Sequence, residues 1–334
     1  MFGGLDGLDI LEKEPFNNAD MSGKDQTTSY AFNSIKRAID SVADPEVVVC
    51  NLLVVPGVTN TGITDHMLNV AERRRDILSI IDLEGGYIPP TENTSGDAAV
   101  GNRGSVDTTI TNLRNRYINT SYGACYYPWV QTKDTENGVA LWIPPSVAAL
   151  GAYGFSEKTT ELWMAPAGFI RGGLSNGAAG IPVTGVRQKL DSKERDKLYA
   201  ANINPIGSFP AEGIVIFGQK TMQTFASATD RVNVRRLLNH VKIEISKLAN
   251  TLLFDQNLNI TWARFTGQAG PLLESIKSRF GLTDFRVILD ETTTTPDLVD
   301  RNTIYAKIYL KPARAVEFIG IDFILTATGA GFAD

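Results

Sequence analysis

Apolar residues follow two alternating patterns in the first 130 residues, and each pattern predicts one kind of element. Nearly unbroken apolar runs at residues 45–57, 77–83 and 121–130 are typical of strands covered on both faces. Apolar residues at helical spacing lie at about residues 29–44, 64–76 and 107–118, and Thr64 or a residue near it is expected to cap the second helix. The alternation of strands and helices predicts a layered α/β domain.

The middle of the chain has a looser pattern. Residues 144–160 begin with two prolines and predict a helix, whereas residues 163–185 are rich in Gly, Ala and Pro and predict loops or short extended pieces. We expect a domain boundary near residue 184. Beyond it the pattern predicts a charged helix at 192–202, two strands within 203–219, and helices within 230–254 and 259–281.

The last part of the chain is rich in strand patterns, at residues 285–291 and 303–329. The residues that alternate between apolar and polar or aromatic are Ile304, Tyr305, Ala306, Lys307, Ile308, Tyr309 and Leu310. Their alternation predicts a half-buried strand, and Pro312 either separates two strands or lies on an exposed edge. An exposed edge here would be a template for pairing with another subunit, and an internal hairpin is the alternative.

The helix predicted within residues 230–254 carries three arginines, Arg231, Arg235 and Arg236, near its start. Its apolar stripe consists of Val234, Leu237, Leu238, Val241, Ile245, Leu248 and Leu252. Cations at a helix N-terminus oppose the helix dipole, so we expect a partner that compensates them. Nucleic acid, phosphate or carboxylates of another protein fit such a cluster, and a solvated or intramolecularly paired face is the alternative.

Composition restricts the classes of partner. The formal net charge is −5, so no overall positive field exists to hold nucleic acid. Cys50 and Cys125 lie in apolar runs without a Cys or His partner nearby, which predicts core thiols in a reducing cytoplasm. No apolar run is long enough for a membrane span, and the first residues lack the order of a signal peptide, so we expect no membrane partner.

Candidate catalytic chemistry is sparse in this sequence. The two histidines, His66 and His240, have no partner at metal-ligand spacing, and the common zinc, nucleophile-elbow and phosphate-loop motifs are missing. Acidic residues near predicted strand ends are Asp82, Glu84, Asp290 and Glu291. They fit either catalytic groups or ordinary turn chemistry. We therefore predict no catalytic site, no metal and no cofactor, and keep an α/β hydrolase-like enzyme as an alternative.

Several sequence segments, in order, resemble the contractile tail sheath proteins of myovirus-type bacteriophages. These segments are "GGLDG" at residues 3–7, "YYPWV" at 126–130, and residues 142–168, 203–222 and 230–246. The resemblance implies an α/β fold of two packed mixed α/β domains. Residues 1–184 would form a subtilisin-like domain without catalytic residues, and residues 185–334 would form the sheath C-terminal domain. In such sheaths "GGLDG" lies well inside the chain, so the resemblance also implies a fragment without the N-terminal linking strand and outer domains.

The function that the resemblance implies is mechanical. Subunits of such sheaths polymerise as a helical stack of hexameric rings around a tail tube and contract, which drives the tube through the host envelope for genome delivery. The implied partners are neighbouring sheath subunits, the tail tube protein, and the baseplate and tail terminator proteins, with no direct nucleic acid. The implied location is the virion tail, and the host cytoplasm during assembly. A sheath of a bacterial contractile injection system, of the pyocin or type VI kind, is the alternative.

The resemblance also implies roles for two groups of residues. Arg231, Arg235 and Arg236 would contact carboxylates of the tube or of a neighbouring subunit, and pairing within the chain remains the alternative. Ile319, Ile321 and Phe323 would belong to linking strands that pair with neighbouring subunits. Such backbone pairing is a form of β-augmentation, which depends little on side chains.

Overall fold

Helices and strands alternate in the first half of the computed structural model, which describes residues 25–83, 105–134, 136, 138, 140–175 and 180–317. The helices are α1 (Tyr30–Ser41), α2 (Thr61–Arg74), α3 (Val106–Asn115), α4 (Pro145–Thr159), α5 (Gly168–Arg171), α6 (Ser192–Ala200), α7 (Val232–Asn250), α8 (Asn259–Ser278) and α9 (Pro296–Asp300). The strands are β1 (Leu52–Val54), β2 (Leu78–Ile81), β3 (Gly123–Tyr127), β4 (Val130–Lys133), β5 (Ala140–Ile143), β6 (Val183–Val186), β7 (Asn204–Phe209), β8 (Gly213–Ile216), β9 (Leu282–Ile288) and β10 (Lys307–Pro312).

The main sheet has five strands in the order β1-β2-β3-β7-β8. The first four run parallel, and β8 returns antiparallel beside β7. Every residue of β2 and β3 is buried, as expected for a parallel sheet with helices on both faces. The prediction of a layered α/β domain is therefore confirmed.

Alternate residues of the main sheet enter two apolar clusters on its opposite faces. Ile81 and Cys125 pack with α1, α2, α3 and α6, so the prediction of a core thiol is confirmed for Cys125. Leu78 and Ala124 enter the other cluster, with α4 and the first residue of α7. The two-residue period of a strand sends successive side chains to opposite faces, which explains why these apolar runs are unbroken.

The main sheet takes strands from both sides of residue 184. Thr184 lies within β6, which pairs with β4 in a small sheet of order β5-β4-β6. Further along the chain, β7 pairs with β3, with Tyr126 opposite Asn204. A division at residue 184 would therefore cut β6 and separate β7 and β8 from the other strands of the main sheet.

A second apolar unit begins within α7. Leu237, Val241 and Leu273 of α7 and α8 are buried together with Trp163, which lies after α4. Strands β9 and β10 form an antiparallel pair packed against these helices. Exposure alternates along β10, which confirms the half-buried strand, and Pro312 is its last residue. Among the described residues, β9 and β10 pair in strand register only with each other.

The structure differs from the predicted strand at residues 45–57. Only Leu52–Val54 form β1, while Val47 and Val49 are 73% and 76% exposed. Residues 45–47 form a turn, so the apolar run does not reach the sheet as one strand, and Cys50 is half-buried outside any strand. The cap of α2, expected at Thr64 or a residue near it, is not Thr64 itself. The cap of α2 is Asn60, whose side chain accepts from the Ile63 N–H, and Thr64 lies inside the helix.

Candidate functional site

Helix α7 joins the main sheet to the second apolar unit, and the three candidate arginines lie at this junction. The Val232 N–H donates to the Gln219 carbonyl over 2.8 Å, and the Thr221 N–H donates to the Asp230 carbonyl over 3.0 Å. These bonds fix the start of α7 on the segment that follows β8. Val232 packs with the sheet, whereas Leu237 packs in the second unit. The first turns of α7 are therefore buried between both units.

Arg236 is buried and paired with α4. It is 3% exposed, and its Nη2 lies 2.9 Å from Oε2 of Glu157. The guanidinium also lies 4.8 Å from the centroid of the Tyr153 ring, and the Tyr153 hydroxyl is 2.6 Å from that of Tyr126. Burial lowers the pKa of Arg236, and Tyr153 and Glu157 act in the opposite direction. The arginine thus connects α7 to α4 and, through the two tyrosines, to β3.

Arg235 points to the segment before β3. It is 8% exposed, its Nη2 donates to the Ser121 hydroxyl, and its guanidinium lies 4.1 Å from the centroid of the Tyr122 ring. Within the described part of the chain, no carboxylate forms an ion pair with it, and burial lowers its pKa. A cation over an aromatic face is stabilised by the ring quadrupole, so Tyr122 partly compensates the buried charge.

Arg231 holds a carboxylate that lies 86 residues further along the chain. Its Nε donates to Oε1 of Glu317 over 2.6 Å, and its Nη1 lies 3.0 Å from Oδ2 of Asp230. Although burial acts to raise it, hydrogen bonds from Arg231 and Tyr199 lower the pKa of Glu317. The two carboxylates supply the compensation that a cation at a helix N-terminus requires.

The three arginines therefore face partners in the same chain, as in the intramolecular alternative. Arg235 and Arg236 present little surface to a second protein because they are almost fully buried. The Arg231 side chain is 26% exposed, so a contact with a tube or a neighbouring subunit remains a prediction that rests on this residue. The candidates Ile319, Ile321 and Phe323 lie outside the described residues.

The burial and hydrogen bonds of Asp82, a candidate catalytic residue, indicate a structural role. It is 1% exposed and accepts hydrogen bonds from the Gly57 N–H, the Ser146 N–H and the Ser146 hydroxyl, at 2.9, 3.1 and 2.7 Å. Burial raises its pKa to about 6, against the effect of these hydrogen bonds. The carboxylate thus connects the end of β2 to the loop after β1 and to the start of α4. No surface remains on it for a substrate.

None of the other candidate titratable groups that the structure describes is a hydrogen-bond partner of Asp82. His66 Nε2 lies 2.7 Å from the Asp40 carboxylate, and the His240 ring packs 5.9 Å from that of Trp163. Asp290 accepts hydrogen bonds from the Thr292 N–H and hydroxyl in an exposed turn, and Glu291 is exposed beside it. Glu84 lies outside the described residues. The groups that the structure does describe form no catalytic set.

The described ranges hold no candidate metal site and no candidate membrane span. No three side chains of the types His, Cys, Asp and Glu gather there in a way that would hold a metal ion. None of the helices in the same ranges combines the length and the apolar character that a membrane span requires.

A cleft of about 620 Å³ lies between the main sheet and the second apolar unit. Its lining includes Arg171, Tyr199, Phe217, Gln219, Asn233 and Glu317. Gln219 Oε1 and Asn233 Oδ1 are buried there without a hydrogen-bond partner. The sequence pattern did not predict this cleft or a role for Glu317, because the residues that line the cleft come from segments far apart in the chain.

Comparisons with known proteins give a consistent family. Residues 226–326 match the sequence model of the phage tail sheath C-terminal domain. The tail sheath protein of Vibrio phage KVP40 is 31% identical over 309 residues, which cover 89% of this chain and 45% of that protein. The tail sheath protein of Enterobacteria phage T4 is 29% identical over 98% of this chain and 48% of its own length. The chain thus spans about half the length of these relatives.

A solved structure has the same fold. The sheath of an extracellular contractile injection system, the PVC sheath complex in its contracted state, superposes with a TM-score of 0.69 and 21% identity. The superposition covers 87% of this chain and 75% of that one. The resemblance to contractile tail sheath proteins is therefore confirmed, and the match is to a part of them.

Proposed function

We propose that this chain, which is related along most of its length to phage tail sheath proteins, is the core of a structural sheath subunit and not an enzyme. Many copies would polymerise as a helical sheath around an inner tail tube. Contraction of the sheath would then drive the tube through the host envelope for genome delivery. The sequence relationship carries this proposal, since it extends over both the main sheet and the second apolar unit.

Contraction needs two packings of the same rigid subunits that differ in free energy. The described residues support a rigid subunit, because α7 connects the sheet and the second unit through buried arginines. We therefore propose that the subunit moves as one body while contacts between subunits change. The energy that drives the tube would come from those changing contacts.

The pair β9 and β10 supports a linking role for the C-terminal unit. Both outer edges of this two-stranded sheet are unpaired among the described residues, and unpaired strand edges are templates for pairing with another chain. We propose that strands from neighbouring subunits complete this sheet, and that Ile319, Ile321 and Phe323 belong to the strand that each subunit lends. Backbone pairing of this kind would keep subunits connected during contraction.

We also propose that the first domain is subtilisin-like, without catalytic residues. A parallel sheet with helices on both faces supports it, as does the Asp82–Ser146 pair at the end of a strand and the start of a helix. That pair is buried and has no histidine beside it, so it has a structural role. We place the end of this domain after β8, near residue 226, because β7 and β8 belong to the main sheet.

We propose further components of the tail as the remaining partners. They are the tail tube protein, the baseplate and the tail terminator, in a virion tail that is assembled in the host cytoplasm. A bacterial injection-system sheath is the second candidate, supported by the fold likeness to the PVC sheath. The sequence relatives are phage proteins, so we favour a phage tail.

Electron microscopy of the full-length protein tests the proposal. Co-expression with the tail tube protein of the same tail is expected to give sheathed tubes in negative stain. Expression of the tube protein alone, as the control, is expected to give bare tubes of smaller diameter. If the full-length protein stays dispersed in the presence of tubes, the sheath proposal is wrong.

A further inference from the structure

Three hydrogen-bond donors converge on the carboxylate of Glu317. The Tyr199 hydroxyl donates to Oε2 over 2.8 Å, and Arg231 Nε and Gln219 Nε2 donate to Oε1 over 2.6 and 3.2 Å. Lys220 adds positive charge nearby, because its Nζ lies 4.3 Å from the Tyr199 ring centroid. All four neighbours belong to the first domain, its following segment or the start of α7. A half-buried carboxylate with this many donors is held in one position.

The residues just before Glu317 cross from one unit to the other. Strand β10 ends at Pro312, and the Ala313 N–H donates to the Gly281 carbonyl over 3.1 Å at the start of β9. Arg314, Ala315 and Val316 are then exposed along the cleft. Glu317 is thus the point where the chain, having left the second unit, is fixed to the first.

We infer that Glu317 is a positioning residue that fixes the chain just after β10 to the first domain. This inference rests on the proposed function, in which the C-terminal segment beyond it links neighbouring subunits. Its donors Tyr199 and Arg231 lie on α6 and at the start of α7, both parts of well-packed structure. Strand β10 belongs to the second unit, whereas the side chains that hold Glu317 lie in the first domain and at the start of α7.

The anchor explains how a two-stranded sheet can carry a linking segment. A pull on the end of β10 would separate it from β9 one hydrogen bond at a time, because the pair has no further strand beside it among the described residues. With Glu317 held by Tyr199 and Arg231, the pull reaches α6 and α7 first. The β9–β10 pair is then protected while subunits move.

Limited digestion with trypsin tests the anchor on this chain. The bond after Arg314 is exposed, but a protease needs several residues on each side to be free. In Glu317→Ala, cleavage after Arg314 is expected to be at least about tenfold faster, since local opening then costs less. Glu317→Gln keeps an acceptor without the charge and is expected to be intermediate.

Two controls separate anchoring from general destabilisation. Asp297→Asn changes an exposed carboxylate of α9 that pairs with Arg301, the residue that follows this helix, and it is expected to leave cleavage after Arg314 unchanged. Tyr199→Phe removes one of the donors to Glu317. Made alone, this change is expected to speed cleavage after Arg314, whereas added to Glu317→Ala it is expected to have little further effect. This loss of additivity is the mark of one shared contact.

The outcomes distinguish this inference from the proposed function. Unchanged cleavage in a folded Glu317→Ala variant overturns the anchor. Faster cleavage, combined with poor polymerisation of the full-length Glu317→Ala sheath, supports both the anchor and the linking role. Faster cleavage with normal polymerisation supports the anchor and overturns its contribution to the linking of subunits.

Discussion

Arg236 of α7 and Glu157 of α4 form an ion pair, with 2.9 Å between Nη2 and Oε2. The arginine is buried, whereas the Glu157 side chain is 46% exposed. A buried cation is costly unless it is paired, so Glu157 and the face of Tyr153 together offset that cost. The helix that joins the two units is thus held through a contact that depends on both side chains.

Replacement of Arg236 is therefore expected to affect stability before it affects assembly. Arg236→Ala is expected to lower the free energy of unfolding by about 2–3 kcal/mol, because packing on Tyr153 is lost and a void remains. Glu157→Gln is expected to cost only about 1 kcal/mol, because solvent screens the partly exposed partner. Urea denaturation measures both changes.

Lys247→Ala is the matched control for this pair. Lys247 pairs with Glu244 at the surface of the same helix, and its side chain is 60% exposed. Its replacement is expected to change the free energy of unfolding by less than about 0.5 kcal/mol. Equal losses in the Arg236 and Lys247 variants would show that burial of the pair is unimportant.

The free energy of unfolding is expected to depend on pH through the titration of Asp82. Its pKa is about 6 in the folded protein, against an ordinary value of 3.8, so the folded state binds this proton more tightly than the unfolded state does. The resulting stabilisation is present below pH 4 and is lost as the pH rises through 6. The loss is roughly 3 kcal/mol, at about 1.4 kcal/mol for each pH unit.

Asp82→Asn supplies the reference for this measurement, because an amide does not titrate in this range. The free energy of unfolding of the wild type, relative to the variant at each pH, is expected to fall between pH 4 and 6 and to stay level above. Denaturation curves at four or more pH values measure it. A difference that is constant across the range would show that Asp82 does not titrate in this way.

Replacement of glycine by alanine is expected to lower the stability at one position and to raise it at another. A Cβ at Gly123 of β3 would overlap Leu68 Cδ2 and lie 3.0 Å from Met222 Sδ, so Gly123→Ala is expected to cost about 1–3 kcal/mol through overpacking. A Cβ at Gly154 of α4 meets nothing within 4 Å, so Gly154→Ala is expected to add about 0.5–1 kcal/mol. Thermal unfolding compares them, and a stabilised Gly123 variant would contradict the close approach.

Proline substitutions test the linking strand. Ile319→Pro with Ile321→Pro removes two backbone donors, so the full-length protein is expected to remain folded but to form no sheath. Ile319→Val with Ile321→Val retains the donors and is expected to polymerise normally. Circular dichroism reports folding, and electron microscopy reports polymerisation. Loss of folding in the proline variant would place the link elsewhere in the chain.

The sequence by itself determined the local elements and the family. Unbroken apolar runs predicted β2 and β3, and the alternation of apolar with other residues predicted β10. Apolar residues at helical spacing predicted α1, α3 and α7. Such periods can be read from the sequence because they record which faces of an element are apolar. The resemblance to sheath proteins rested on several segments in a fixed order, which is far more specific than any one of them.

Only the tertiary structure decided what the arginines contact. The partners Ser121, Glu157 and Glu317 lie 114, 79 and 86 residues from Arg235, Arg236 and Arg231. A helical period places these cations on one part of α7 but does not identify the element that packs there. The pairing of β3 with β7 across residue 184 has the same cause, since which strands become neighbours depends on the packing of the whole chain and not on local spacing.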